Sequence, residues 1–511
     1  MTESAVPPGK VYLVGAGPGD PGLLTLRGQQ CLARADLVLY DYLVNAEILS
    51  HAHRGAELVC LGRHGHGKLL SQDEICRQMV AAARQGRVVV RLKGGDPAIF
   101  ARLAEETSAL DDAGLTYEIV PGVTAALAAA SYTGISVTHR EWSSAVALIT
   151  GHEAENKPGG ELDYGSLASF PGTLVIYMGV TTAESWSQTL ISAGKPADTP
   201  VAVVRRCSWP DQYCWRCRLD QLADLLDQQR EDRIRPPVVV IVGQVAAEDI
   251  SSSWFTSRPL FGQRVLVTRP IDQAGPLKSS LEELGADILL QPAIEISDPP
   301  DWQPVDTAIA RLSSFDWLVF SSSNGVRMLL ERLFAQGQDL RALAGAKLAA
   351  IGPGTENALA EWKLRADLVP PEYRAEALAT ALADQAAGKK FLLLRASRGR
   401  EVLAEQLTAA GAEVEQVVVY SSTDIERPND EVRQSLAAGQ LDWVTVTSSA
   451  IARSLAKLFG EDLHRARLAS ISPITSGDLR KLGFEPAAEA REYTMDGVVA
   501  AIVEAERQAS H

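Results

Sequence analysis

Val11-Tyr-Leu-Val-Gly-Ala-Gly-Pro-Gly-Asp-Pro-Gly-Leu-Leu-Thr-Leu26 is an apolar run that empties into a glycine turn and then a helical stretch, the opening of an α/β unit. It comes close to the dinucleotide-binding fingerprint, in which a third glycine follows the first by five positions. Here Gly15 and Gly17 are in place but the third position is Asp20, between Pro18 and Pro21. A nicotinamide-dependent dehydrogenase is one reading of the loop, and the missing glycine counts against it. The turn predicts a nucleotide-like ligand that is not held by its pyrophosphate.

The whole chain supports construction from such units. Its 511 residues are 46% hydrophobic and 22% charged, ordinary for globular protein and long enough for several lobes. The longest apolar runs, such as Pro237–Val242, are strand-sized and predict no membrane span. The start, Met1–Gly9, has neither a basic nor an apolar targeting region, and a cytoplasmic location is expected. Net charge is -15, and acidic residues outnumber basic ones on both sides of Arg258, which argues against nucleic acid as partner. An anionic small molecule needs only local basic groups, and Arg91, Lys93, Arg140 and Arg205 are expected to gather at one mouth for it. The six cysteines lie in the first half, at 31, 60, 76, 207, 214 and 217, with no extracellular framework spacing. Cys207 with Cys214 and Cys217, and His64 with His66, fall short of a closed zinc set. No metal is expected, and the cysteines read as a solvated loop or a facultative redox pair.

Residues 10–247 alternate β-branched runs with Ala- and Leu-rich stretches, with strands expected at 11–14, 37–40, 87–92, 174–178 and 238–242. The polar stretch Glu153–Glu161 reads as a loop near a boundary between two lobes, and the main domain boundary is placed at 251–261. Beyond it the chain repeats itself. Gly262-Gln-Arg-Val-Leu-Val-Thr-Arg269 is echoed by Lys389–Arg395, Phe315-Asp-Trp-Leu-Val-Phe320 by Leu441-Asp-Trp-Val-Thr-Val446, and Lys347–Thr355 by Arg467–Thr475. Three blocks recurring in one order imply two similar α/β lobes facing each other.

Chemistry concentrates where strands end. Val88–Leu92 runs into Gly94, Gly95 and Asp96, glycines that let a ligand approach the backbone beside a carboxylate that is either a ligand contact or a cap. Pro121-Gly-Val-Thr124 repeats the device ahead of a small-residue helix, and Tyr177-Met-Gly179 ends another strand in a thioether. Together with Leu39-Tyr-Asp-Tyr-Leu43 and Thr138-His-Arg140, these motifs resemble, in order, the tetrapyrrole methylases, most closely the uroporphyrinogen-III C-methyltransferases, over residues 10–250. The resemblance implies lobes at about 10–138 and 139–250, S-adenosylmethionine as cofactor and a homodimer. It also implies cofactor contacts at Pro18, Gly94, Gly95, Asp96, Ile99, Thr124, Ala125 and Met178, and at Cys207 where relatives carry glycine. Asp41 matches the family's proton acceptor, its alternative being a capping or ribose-binding carboxylate. Arg63 stands where the family has a lysine proton donor. Arginine keeps its proton, so Arg63 orients a carboxylate, and either Lys68 or His64 substitutes as donor or none is needed.

From Gly262 onward the duplicated lobes resemble uroporphyrinogen-III synthase, through Leu343–Gly352, the Asp-Trp strands and Thr494-Met-Asp-Gly497. The implied reaction closes hydroxymethylbilane with inversion of ring D and loss of water, and Tyr420 matches a cleft tyrosine that helps the hydroxyl depart or is a core residue. Ser322, Ser323, Asn324, Thr355, Ser397, Ser448, Ser449 and Thr475 lie at turns where helix N-termini accept carboxylates, or are plain caps. Arg269, Arg395 and Arg398 are candidates for forked bonds to carboxylates. The combined expectation is a bifunctional enzyme that makes uroporphyrinogen III and methylates it twice to precorrin-2. A non-catalytic ligand-binding second half is the alternative.

Overall fold

The computed structural model describes residues 9–62, 70–153, 161–228, 234–247, 253–399 and 401–509. The chain divides into two units, Met1–Gly262 and Gln263–His511. Among the described residues, no helix is long and apolar enough to cross a membrane.

In the first unit, β1 (Val11–Gly15), β2 (Leu37–Tyr40), β3 (Glu57–Cys60), β4 (Val89–Lys93) and β5 (Tyr117–Val120) form a parallel sheet ordered β3-β2-β4-β1-β5. β1 and β4 are buried along their whole length, β1 as a continuous apolar run and β4 with Arg91 and Lys93 among its apolar residues. Because β4 returns between β2 and β1, the glycine turns after β1 and β4 lie side by side at the carboxyl edge. Open α/β sheets bind ligands at such a switch point. A second, mixed sheet holds β6 (Val146–Thr150), β7 (Thr173–Tyr177), β8 (Pro200–Arg205), β9 (Tyr213–Arg218) and β10 (Val238–Val242), ordered β6-β7-β10-β8-β9.

Two sequence expectations change here. The second sheet begins at Val146, so Glu153 and Glu161 fall inside that lobe rather than at its border; residues 154–160 lie outside the described residues. The end of the expected linker, from Ser253, is docked on the first unit: Phe255 is 2% exposed with its ring 4.6 Å from Tyr132, and Trp254 Nε1 donates to the Ser131 carbonyl.

The second unit holds two further sheets. One contains β11 (Arg264–Val267), β12 (Asp287–Leu290), β18 (Trp443–Val446), β19 (Arg467–Ser470) and β20 (Ala488–Glu489), all parallel, ordered β12-β11-β18-β19-β20. The other contains β13 (Ile294–Ser297), β14 (Trp317–Phe320), β15 (Lys347–Ala350), β16 (Lys390–Ala396) and β17 (Glu413–Asp424), ordered β13-β17-β16-β14-β15 with β13 antiparallel. The lobes are alike, but neither is one copy of the sequence repeat. Each sheet takes the first two strands of one copy and its others from the other copy, so β11 pairs with β18 in one sheet, while β16 pairs with β14 and β17 with β13 in the other. The echoed Asp-Trp dipeptides pin this exchange. Asp316 Oδ2 accepts from Lys390 N at 2.9 Å, and its counterpart Asp442 Oδ2 from Arg264 N at 2.7 Å, each fixing the register of a strand from the other copy.

Candidate active sites

The cofactor-site residues expected from the sequence come together at the carboxyl edge of the first sheet. Gly17 and Gly95 exchange backbone hydrogen bonds (3.1 and 2.7 Å), joining the first two turns. A Cβ on Gly15 would lie 2.6 Å from the Gly122 backbone and 2.7 Å from the Gly95 carbonyl, so glycine is required where three turns touch. Asp96 accepts Ala98 N at 2.7 Å on one oxygen and Gly122 N at 2.9 Å on the other. Its role as a cap is therefore to a turn and a neighbouring loop rather than to a helix, and each oxygen keeps a lone pair for a ligand. Ile99 N donates to the Asp96 carbonyl in the same turn.

The ring closes through the second sheet. Thr124 is the N-cap of the helix Ala125–Thr133, yet the capping is done by Tyr177, whose hydroxyl meets Thr124 Oγ1 at 2.7 Å and Ala126 N at 2.8 Å. Next to Tyr177, Met178 has φ of 53° and is 51% exposed. Cys207 is 6% exposed, lies between the positive-φ residues Arg206 and Ser208, and points its Sγ at the Ala125 carbonyl at 3.7 Å. Burial pushes that thiol up to about 12. Trp209 Nε1 donates to the Pro18 carbonyl at 3.1 Å, returning to the opening loop. Left-handed backbone at residues other than glycine costs about 1–3 kcal/mol each and gathers at functional sites. Phe100, Arg102, Met178, Arg206 and Ser208 all adopt it here. Asp20 also finds its reason: one oxygen caps Gly22 N and the other accepts the Tyr132 hydroxyl at 2.7 Å, so the residue that spoils the dinucleotide fingerprint anchors the loop.

Asp41 follows β2, beside the end of β4. Its Oδ1 accepts from Arg91 Nη2 at 2.7 Å, and its side chain is 29% exposed. Arg91 and Lys93 are 3% and 2% exposed, which corrects the expectation that they gather at a solvent-facing mouth. They flank Glu106, which is wholly buried: Arg91 Nε donates to Oε1 at 3.0 Å and Lys93 Nζ to Oε2 at 2.6 Å. Burial, then the charge of Arg91, pushes the Lys93 ammonium below its ordinary range against the pull of Glu106. Of the other two arginines, Arg205 is paired with Asp211, while Arg140 is exposed. Arg63, His64 and Lys68 lie outside the described residues. Cys214 and Cys217 sit on β9 and pack into opposite faces of the sheet, so they do not form a redox pair with one another. Among the described residues, no cluster of His, Cys, Asp and Glu is placed to hold a metal.

In the second unit the strand ends carry hydroxyls. Ser322 caps the helix Ser323–Ala335 through Gly325 N, and its counterpart Ser448 caps Ser449–Phe459 through Ile451 N. Ser472 does the same for Pro473–Lys481, which contains Thr475, while Thr355 is buried in the first turn of Pro353–Glu361. Tyr420, on β17, is 7% exposed with its hydroxyl 3.0 Å from Ser322 Oγ, and burial raises its pKa against the hydrogen bonds of Ser322 and Asn324. The three arginines differ. Arg395 is committed to Glu401, and Arg398 to Asp424 at 2.5 Å. Arg269 meets Gln273 and, at 3.1 Å, Met495 Sδ, with no carboxylate bound among the described residues, and burial lowers its pKa. Gln273 in turn donates to Asn324 at 2.6 Å, linking the loop after β11 to the helix after β14. Tyr373 and Tyr493, equivalent in the repeat, meet edge-on at 5.9 Å.

Residues 10–223 match the family described as Tetrapyrrole (Corrin/Porphyrin) Methylases, and residues 275–500 match Uroporphyrinogen-III synthase HemD. The chain is 33% identical over 495 residues to the "Porphyrin biosynthesis protein HemD" of Ruminiclostridium josui, covering 96% of this chain and 95% of that protein. It is 38% identical over 366 residues to the "Uroporphyrinogen-III C-methyltransferase" of Bacillus subtilis, covering 71% and 72% respectively. Among solved structures, the uroporphyrin-III C-methyl transferase of Thermus thermophilus complexed with S-adenyl homocysteine is 38% identical, with 47% of this chain and 99% of that one covered and a TM-score of 0.40. The chain belongs to the tetrapyrrole methylases through its first unit and to the uroporphyrinogen-III synthases through its second, an enzyme of tetrapyrrole synthesis with a methyltransferase half and a synthase half.

Proposed function

We propose that the second unit closes hydroxymethylbilane to uroporphyrinogen III and that the first methylates this product twice to precorrin-2, feeding sirohaem or cobalamin synthesis. The observation that carries the reading is Asp41, a carboxylate with one oxygen held by buried Arg91, beside a glycine cradle that admits backbone contact to a ligand. S-adenosylmethionine supplies an electrophilic methyl group when bound. Gly94, Gly95, Thr124 and Ala125 offer it backbone, Asp96 a carboxylate, and Pro18, Ile99, Met178 and Cys207 the walls. Asp41 takes the proton that leaves the substrate as the new carbon–carbon bond forms, so catalysis is alignment plus a general base. Arg63 orients a substrate carboxylate, since arginine cannot act as the acid.

In the second unit, Arg269 and the capped helix N-termini hold substrate carboxylates. Tyr420, kept protonated by burial, donates to the departing hydroxyl. The fit of the unit to a polyanion rests on local donors, consistent with an acidic protein that takes no nucleic acid. A homodimer through the first unit is supported by the exposed Leu127 and Trp142 there, and a cytoplasmic location by the free cysteines. The test is the full chain given hydroxymethylbilane with and without S-adenosylmethionine. Uroporphyrinogen III and then a product heavier by two methyl groups are expected. Formation of the spontaneous I isomer alone sinks the synthase reading, and a product with one or three added methyls sinks precorrin-2.

A further inference from the structure

The most unusual feature of the first unit is a row of four charges led from the interior to the site. Arg91 and Lys93 alternate with Leu92 along β4 and so share one face of the sheet. Glu106, in the first turn of the helix Leu103–Asp112, fills the space between them, and Gln72 Nε2 adds a bond to its Oε1 at 3.2 Å. Arg91 has every arm of its fork engaged: Nε on Glu106, Nη1 on the carbonyls of Leu39 and Leu92, and Nη2 on Asp41. A planar guanidinium held at Nε and Nη1 has no freedom left at Nη2.

Burying three charges in a sheet core is an expensive way to join a strand to a helix, since apolar residues of similar size do so equally well or better. What an apolar core cannot do is fix the direction of a carboxylate at the sheet edge. Asp41 is tied at Oδ1, and its Oδ2 makes no hydrogen bond to a described residue. We propose that Glu106, with Lys93 behind it, is a positioning residue of methyl transfer, which through Arg91 holds Asp41 so that its second oxygen faces the proton to be removed. This rests on the reading of Asp41 as the base. Glu106 touches no reactant and changes no bond. The proton passes to Asp41 as the substrate carbon bonds to the methyl group and the sulfonium carbon–sulfur bond breaks.

The experiment is a double-mutant cycle on the full chain, with Glu106→Gln, Asp41→Asn and both together. Because Glu106→Gln leaves Lys93 unneutralised in the interior and Arg91 with Asp41 as its one carboxylate, and so threatens folding, Lys93→Met/Glu106→Gln is made in parallel; it removes the Lys93–Glu106 ion pair as a whole. The first unit's own melting transition and S-adenosylmethionine binding by the same chains report that the variant unit is folded. The expected result is a fall in methylation kcat of about tenfold for either Glu106 variant, with KM for S-adenosylmethionine within about twofold. In the Asp41→Asn background the Glu106 change has no further effect, because its action passes through Asp41. Independent, multiplying losses overturn the inference, as does an unchanged kcat in Lys93→Met/Glu106→Gln. Full methylation by Asp41→Asn instead overturns the base reading itself, an outcome read before the Glu106 variants are compared.

Discussion

The two units solve opposite problems with the same α/β material. At the edge of the first sheet, polar groups are few and rigidly committed: a carboxylate held by an arginine, that arginine held by a buried glutamate, and turns so close that glycine is required. In the second unit the polar groups are more numerous, the hydroxyls of Ser322, Ser448 and Ser472 each capping a helix and the first two equivalent across the lobes. Proton removal during methyl transfer needs one atom in one place. Folding a flexible polycarboxylate for ring closure needs a mould of donors, and no single one is indispensable. The difference predicts how sharply each activity depends on one residue.

The largest effect is expected at Asp41. Replacement by Asn preserves shape but removes the proposed base, and general-base catalysis contributes about 10²–10⁴-fold, so methylation should fall about a thousandfold while ring closure by the same chain is unaffected. A loss below tenfold, measured by single-turnover methyl transfer, erases the contrast between the units. Arg269→Ala comes next. Its half-buried guanidinium lies against Gln273 and Met495 with no carboxylate bound among the described residues, and a lost charge-assisted contact weakens substrate by about 10–100-fold. The expected signature is a raised KM for hydroxymethylbilane with kcat nearly kept, because neighbouring caps still hold the other carboxylates. A collapse of kcat would mean that the second unit also hinges on one group.

Sequence made the architecture legible where it depends on local pattern. The strands expected at 37–40 and 238–242 occur at those positions, β1 runs one residue longer than expected, β7 lies one residue earlier at both ends, and β4 starts two residues later and ends one later, because short apolar runs between turns leave little choice of place. The repeat was equally plain, but an echo reveals equivalence, not adjacency. That β11 pairs with β18 across the copies depends on long-range contacts, and the sign that carries it, Asp316 and Asp442 opposite the starts of β16 and β11, is legible only afterwards. The same limit hid Glu106. Arg91 and Lys93 two apart in an apolar strand signal a buried counter-charge, but sequence does not say whether Glu105 or Glu106 turns inward. The exchange has its own test: Asp442→Ala and Asp316→Ala each leave a strand-initiating N–H without its partner, and each should cost about 1 kcal/mol. That corresponds to a melting shift of a few degrees for a unit of this size, confined to the second unit's transition. A shift in the first unit's transition refutes it.

The smallest effect tests whether the first site depends on backbone where it departs from its relatives. Cys207 occupies a position expected from the family to be glycine, and a reactive thiol beside a methyl donor would be methylated in place of the substrate. The structure removes that hazard by burial. The thiol is pushed up to about 12, so the neutral form persists at every pH below that and the thiolate, the nucleophilic form, is scarce near neutrality. Its Sγ faces the Ala125 carbonyl, leaving the main chain between Arg206 and Ser208 to form the wall. Cys207→Ala and Cys207→Gly should therefore leave KM for S-adenosylmethionine and methylation kcat within about twofold. In the native chain at pH 8, iodoacetamide should label exposed Cys60 and spare Cys207 until denaturant is added, as peptide mass mapping would show. Labelling of native Cys207, or a tenfold change in kcat on its replacement, would add a side-chain thiol to the site's chemistry and blur the division between a rigid first site and a redundant second one.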